Sequence, residues 1–172
     1  DPNNFFFSGF SYGGHHAHFL FEDLNFTSDH SWAAIVAAEP PCNAFFEAKK
    51  YLTPVLTIKG GESHYKPRPC EILTELYQDE GVDAELIVYP KSNHYFSHNG
   101  KITKGLAFNG CNENPVIMKG NGNWSFLNGE KADRKTVAKR CMTKTGGSGK
   151  SREDLDLAIY ATIKFFKENI NY

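Results

Sequence analysis

The chain of 172 residues has no excess of charge of either sign: 19 Lys and Arg stand against 20 Asp and Glu, a formal net charge of −1. That balance makes no electrostatic case for nucleic acid or for an anionic membrane surface, and neither is expected as a partner. No apolar run approaches the roughly 20 residues that span a bilayer. A charged start followed by an apolar stretch and a small-residue cleavage site is missing too, although a mature or truncated chain would look the same. CxxC pairs are absent, which argues against a zinc site, and Cys42, Cys70, Cys111 and Cys141 stand far apart. Two readings of these cysteines stay open. Either they are reduced thiols in a cytoplasmic protein, or Cys42–Cys70 and Cys111–Cys141 are disulfides in a periplasmic or secreted one. The pairing follows the expected topology, in which Cys42 follows one strand and Cys70 opens the helix after the next.

What the chain does have is a strand–helix rhythm. Residues 4–10, 31–41, 53–61 and 84–90 are short apolar runs stopped by Pro or Gly, as buried strands are. Residues 12–22, 68–82 and 151–170 carry apolar residues at helical spacing, with Gly81 as a stop signal and Ser151 with Asp154 as a capping box. In the last helix Leu155, Ile159 and Ile163 form the expected apolar face. Cys42–Leu52 reads as a short helix or turn. Alternation at this rhythm predicts an α/β fold with a mostly parallel sheet between helix layers, in one domain over residues 1–172. Residues 97–147 break the pattern. They are rich in Gly, Asn and Lys, with weak strand signals near "NPVIMKG" and "NWSFLNG". They read as an irregular excursion, a small hairpin closed by Cys111–Cys141.

The chemistry starts at Gly9-Phe10-Ser11-Tyr12-Gly13, a Gly-x-Ser-x-Gly set between an apolar strand and a helix. That placement is the nucleophile elbow, a turn so tight that small residues must flank the serine. The hydroxyl then projects at a helix N-terminus, where the backbone N–H of Tyr12 is the expected oxyanion donor. Serine needs a base, and in this architecture the order along the chain is Ser, acid, His. His94, in a short loop after the fourth strand, supplies the base. The aromatics Tyr65 and Tyr95 are expected to line a substrate pocket. His15, His16 and His18 crowd one helix without a nearby carboxylate or cysteine, so no metal is expected there. "TGGSGKS" (145–151) lacks the first P-loop glycine and reads as a linker. Asn25-Phe26-Thr27 and Asn123-Trp124-Ser125 fit the glycosylation sequon.

Taken together, "GFSYGG", "TPVLTIKGGES", "CEILTELYQDEGVDAELIVYP" and "NHYF" resemble the dienelactone hydrolase branch of the α/β-hydrolases. "DPNN" before the elbow strand and the closing "ATIKFFKENI" agree with it. The resemblance covers residues 1–96 and 146–170 and not the excursion between them. It implies hydrolysis of a small-molecule carboxylic ester or lactone through an acyl-serine intermediate, with Ser11 as nucleophile, His94 as base and no metal or organic cofactor. It also implies a three-layer fold whose earlier strands are lacking here. Strand 4–10 would then be covered by a partner chain or a missing N-terminal segment. The acid departs from the pattern: Ser63 stands where the family usually has Asp. Glu62 is the first candidate in its place, and Glu39, at the end of strand 33–38, the alternative. The competing reading, a catalytically impaired hydrolase-like binding module, draws on the same departure and on the lacking earlier strands.

Overall fold

The computed structural model describes residues 4–20, 32–94, 104–146 and 154–170. Its centre is a four-stranded sheet in the order β1-β2-β4-β5, formed by β1 (Phe6–Phe10), β2 (Ala34–Ala38), β4 (Val55–Gly60) and β5 (Ala84–Tyr89). Every pairing in it is parallel. Parallel strands are covered on both faces, and the side-chain alternation sorts their residues between two cores. Ile35, Ala37 and Val55 face α1 (Tyr12–Phe19) and α2 (Arg68–Asp79), meeting Ala17, Ile72, Leu73 and Tyr77. Ala34, Val36, Leu56 and Ile58 face α4 (Leu155–Glu168), meeting Ala158 and Phe165. The result is the expected three-layer α/β arrangement. Among the described residues β1 is an edge strand paired with β2 alone.

The region expected to be irregular is more ordered than its composition suggests. It carries β6 (Lys104–Ala107), β7 (Val116–Met118), β8 (Trp124–Phe126), β9 (Lys131–Ala132), α3 (Arg134–Cys141) and β10 (Thr143–Gly146). β6 and β10 form an antiparallel pair. The other strands build a small sheet in the order β3-β7-β8-β9, over a core of Cys111, Val116, Phe126, Ala132 and Cys141. Its first strand is β3 (Ala44–Phe46), so the segment expected to be a helix or turn is in part a strand. The reason is tertiary: Ala44, Phe45 and Phe46 pair in parallel with Val116, Ile117 and Met118, partners about 70 residues away that local propensity does not reveal.

Two details of α4 also differ from expectation. Ser151 lies outside the described residues, and Asp154 accepts a hydrogen bond from the Ser92 hydroxyl rather than capping the helix with its side chain. The packed face is Leu155, Ala158, Ala161, Phe165 and Phe166, whereas Ile159 and Ile163 are exposed. The structure pairs Cys42 with Cys70 and Cys111 with Cys141. Two disulfides are compatible with a periplasmic or secreted protein. Among the described residues no helix is long and apolar enough to cross a membrane.

His18 is buried on α1, without a hydrogen-bond partner at either ring nitrogen and with its ring 6.0 Å from that of Tyr77. Burial, helped by His15, lowers its pKa from 6.5 to about 3. His15 is lowered to about 4, by burial first and then by His16. The unfolded chain takes up these protons below pH 6.5 and the folded chain refuses them, so stability falls as pH drops from 6.5 towards 3. At pH 5 the His18 contribution alone is about 2 kcal/mol. The melting temperature is therefore expected to fall between pH 7 and pH 5, and His18→Leu is expected to flatten that slope. Equal slopes in the two proteins would contradict the assignment.

Candidate active site

Strand register assembles the site. Phe10 of β1, Ala38 of β2 and Ile58 of β4 share one rung of the sheet. The next residue of each strand path is Ser11, Glu39 and Lys59, so three chemistry-bearing side chains leave the C-terminal edge at one level. Ser11 (φ 56°) and Glu39 (φ 54°) are the non-glycine residues with positive φ among the described residues. Such a conformation costs on the order of 1–3 kcal/mol for a side-chain-bearing residue and persists only where the surroundings impose it. Here they do. The Ser11 N–H donates to the Ala38 carbonyl at 2.8 Å, the Glu39 N–H to Ile58 at 2.7 Å, and the His15 N–H to Ser11 at 2.9 Å.

The elbow needs glycine for close approach at two points. A Cβ on Gly9 would lie 2.1 Å from the Gly13 carbonyl oxygen, and one on Gly14 would lie 2.7 Å from that of Ala38. A Cβ on Gly13 would meet nothing within 4 Å. The second glycine of the Gly-x-Ser-x-Gly pattern is thus not the constrained one; its neighbour is.

The Ser11 hydroxyl is 2.7 Å from His94 Nε2, and His94 Nδ1 is 3.0 Å from Glu39 Oε2. A carboxylate only accepts, so the proton sits on Nδ1, which donates to Glu39, and Nε2 accepts from Ser11. His94 is 2% exposed and Glu39 fully buried. Glu39 gathers further donors: Lys59 Nζ at 2.9 Å, the Ser63 hydroxyl at 2.8 Å and the Gly60 N–H. Burial pushes the Glu39 carboxyl up, but the Lys59 ammonium and the His94 contact outweigh it and hold the carboxyl below its ordinary value. Burial pushes Lys59 down, and Glu39 opposes that only in part.

The first acid candidate is placed differently. Glu62 is exposed, while its backbone N–H donates to the Ser92 carbonyl at 2.8 Å. The turn after β4 points Ser63 inward, and the inward oxygen at that position donates to Glu39. Hence it is Glu39, the alternative, that reaches the imidazole. Tyr65 lies beside the site, its ring 5.9 Å from that of His94, with the His64 ring at 4.6 Å. Tyr12 opens α1 and its side chain is 70% exposed. Tyr95, His98 and Asn25-Phe26-Thr27 lie outside the described residues, as does most of "TGGSGKS". Among the described residues no group of His, Cys, Asp and Glu is placed to hold a metal ion.

The disulfide Cys42–Cys70 fastens the chain just after Glu39 to the first turn of α2. The loop that precedes this turn carries Ser63, His64 and Tyr65. Lys59 escaped the sequence reading, and Ser63 entered it only as a departure from Asp, yet Lys59 left a signal. A lysine at the end of the buried run "VLTIKG" is out of place unless a partner receives it.

No protein-family model and no curated protein matches the chain. Among solved structures it is similar to a Klebsiella pneumoniae protein described as a dienelactone hydrolase, at 20% identity and a TM-score of 0.40, over 56% of this chain and 42% of that one. An acylaminoacyl peptidase of Pyrococcus horikoshii is similar at 15% identity and TM-score 0.47, over 56% and 21%. So is a thermophilic esterase of Thermogutta terrifontis, at 15% and 0.43, over 53% and 45%. The chain therefore spans less than half the length of each of these structures. Its parallel sheet with helices on both faces is an α/β fold.

The unequal burial of the two glutamates predicts unequal effects on folding. Glu39→Gln leaves the Lys59 ammonium buried without its counter-charge and is expected to cost about 3–5 kcal/mol. Glu62→Gln is expected to stay within about 0.5 kcal/mol. Chemical denaturation of both variants checks this; equal losses would contradict it.

Proposed function

We propose that the chain is a serine hydrolase of carboxylic esters or lactones, working through an acyl-serine intermediate. The observation that carries the reading is the relay from Ser11 through His94 to Glu39, at 2.7 and 3.0 Å. The Ser11 oxygen attacks the substrate carbonyl carbon while His94 Nε2 takes its proton. The N–H of Tyr12, at the first position of α1, is unpaired within the helix by geometry and steadies the oxyanion. The imidazolium gives its proton to the departing alkoxide. Water, deprotonated by the same nitrogen, then attacks the acyl group and frees Ser11. Glu39 keeps the imidazole in the tautomer that leaves Nε2 able to accept. The rings of Tyr65 and His64 beside His94 form part of an apolar wall for the acyl or alcohol portion.

This assignment moves the acid from Glu62 to Glu39. It also answers one of the two motives for the impaired-module reading, since a serine at position 63 deprives the imidazole of nothing when another carboxylate already reaches it. The hydrolase similarity of the fold is consistent with the proposal, and the ester or lactone class comes from the sequence resemblance.

A fluorophosphonate probe is expected to label the intact chain on Ser11, and Ser11→Ala to abolish labelling. Glu39→Gln is expected to lower kcat for an aryl ester by roughly 10²–10⁴-fold, by analogy with the loss of a triad acid. Glu62→Gln is expected to stay within about threefold. Absence of labelling at Ser11, or a larger loss in Glu62→Gln than in Glu39→Gln, would overturn the proposal.

A further inference from the structure

Glu39 and Lys59 are both 0% exposed, with Nζ 2.9 Å from Oε2, the same carboxylate oxygen that accepts from His94 Nδ1. Lys59 also donates to the Ser63 hydroxyl at 3.4 Å. A buried ammonium finds no water to answer its charge, and a structural ion pair has no reason to share its acceptor oxygen with the imidazole of a nucleophile relay. The sharing means that any charge on Lys59 is felt at His94 through one oxygen atom.

We propose that Lys59 is a positioning residue that acts through Glu39, cancelling the carboxylate's charge so that His94 meets a hydrogen-bond acceptor inside a net-neutral pair. This rests on the serine hydrolase reading above. An uncompensated buried carboxylate at hydrogen-bond distance would favour the imidazolium in the resting protein, which cannot take the Ser11 proton. With Lys59 opposite, the carboxylate still fixes the imidazole tautomer, and the charge that would protonate His94 early is offset. Ser63 completes the cluster by donating to the same Oε2, while the Gly60 N–H donates to Oε1.

Other titratable or charged groups stand on the elements around the cluster. From the loop after β4 come His64 and Tyr65, whose rings lie 4.6 and 5.9 Å from His94. From α1 comes His15, hydrogen-bonded to the backbone of Pro41 next to the acid loop. From the start of α4 comes Asp154, which accepts from Ser92, two residues before His94. The ammonium of Lys59, 2.9 Å from Oε2, is the direct counter-ion of the Glu39 carboxylate.

The test is the pH profile of kcat/KM for p-nitrophenyl acetate. In Lys59→Met the acid limb is expected to move up by about one pH unit or more, because Glu39 then acts on His94 as a full charge. In Glu39→Gln/Lys59→Met, where a neutral pair replaces a neutral pair, the acid limb is expected within about half a unit of wild type, with kcat reduced. A merely structural lysine would lower stability and leave the Lys59→Met limb in place, which overturns the proposal. So does a fall of about one unit or more in the double variant, since the Glu39 charge would then have been uncompensated all along. If Lys59→Met does not fold, the double variant decides alone. If wild type neither turns over the ester nor labels at Ser11, the hydrolase reading fails, and this proposal with it.

Discussion

The site depends on a carboxylate that is taken out of water and held by four donors. Burying a charge is costly unless it is paired and hydrogen-bonded. Glu39 meets both conditions through Lys59, Ser63, the Gly60 N–H and His94. That requirement shapes the ends of two strands and the turn after one of them. β4 must carry a lysine one residue before its end, its turn must bring a hydroxyl inward, and β2 must be followed by a strained left-handed residue so that the carboxyl turns back towards the sheet edge. The disulfide from Cys42 to Cys70 ties the same two loops together.

Register accounts for the alignment of Ser11 and Glu39. Because Phe10, Ala38 and Ile58 are in line, the backbone hydrogen bonds that hold Ser11 and Glu39 in their unusual conformations go to carbonyl groups of the neighbouring strand, those of Ala38 and Ile58. Ser11 N–H bonds to β2, and Glu39 N–H bonds to β4. Strain at each position is therefore met by the sheet itself, and the placement of Ser11 and Glu39 is a property of parallel strand pairing. Placement of a site at the carboxyl ends of parallel strands follows the general rule for open α/β sheets.

Much of this was legible in the residues. Gly-x-Ser-x-Gly between an apolar run and a helical one marked Ser11, and the order of elements marked His94. Periodicity located all four central strands and three of the helices. The acid was harder to read, because Glu62 and Glu39 are both strand-end glutamates and differ only in which way a turn points them. A single residue of alternation sends Glu62 outward and Ser63 inward. The strand at Ala44–Phe46 was not legible, since its partner lies far along the chain at Val116–Met118. On α4 the choice of face failed because apolar residues nearly encircle the helix: Ile159 and Ile163 fit the periodicity as well as Ala158 and Phe165 do, and only the sheet decides between them.

The most direct measurement of the central claim, that Glu39 is the carboxylate on His94, is the low-field proton NMR signal of the imidazole Nδ1–H. The account predicts such a signal in wild type, its persistence in Glu62→Gln, and its loss or upfield displacement in Glu39→Gln. A signal that survives in Glu39→Gln unchanged and vanishes in Glu62→Gln would contradict it.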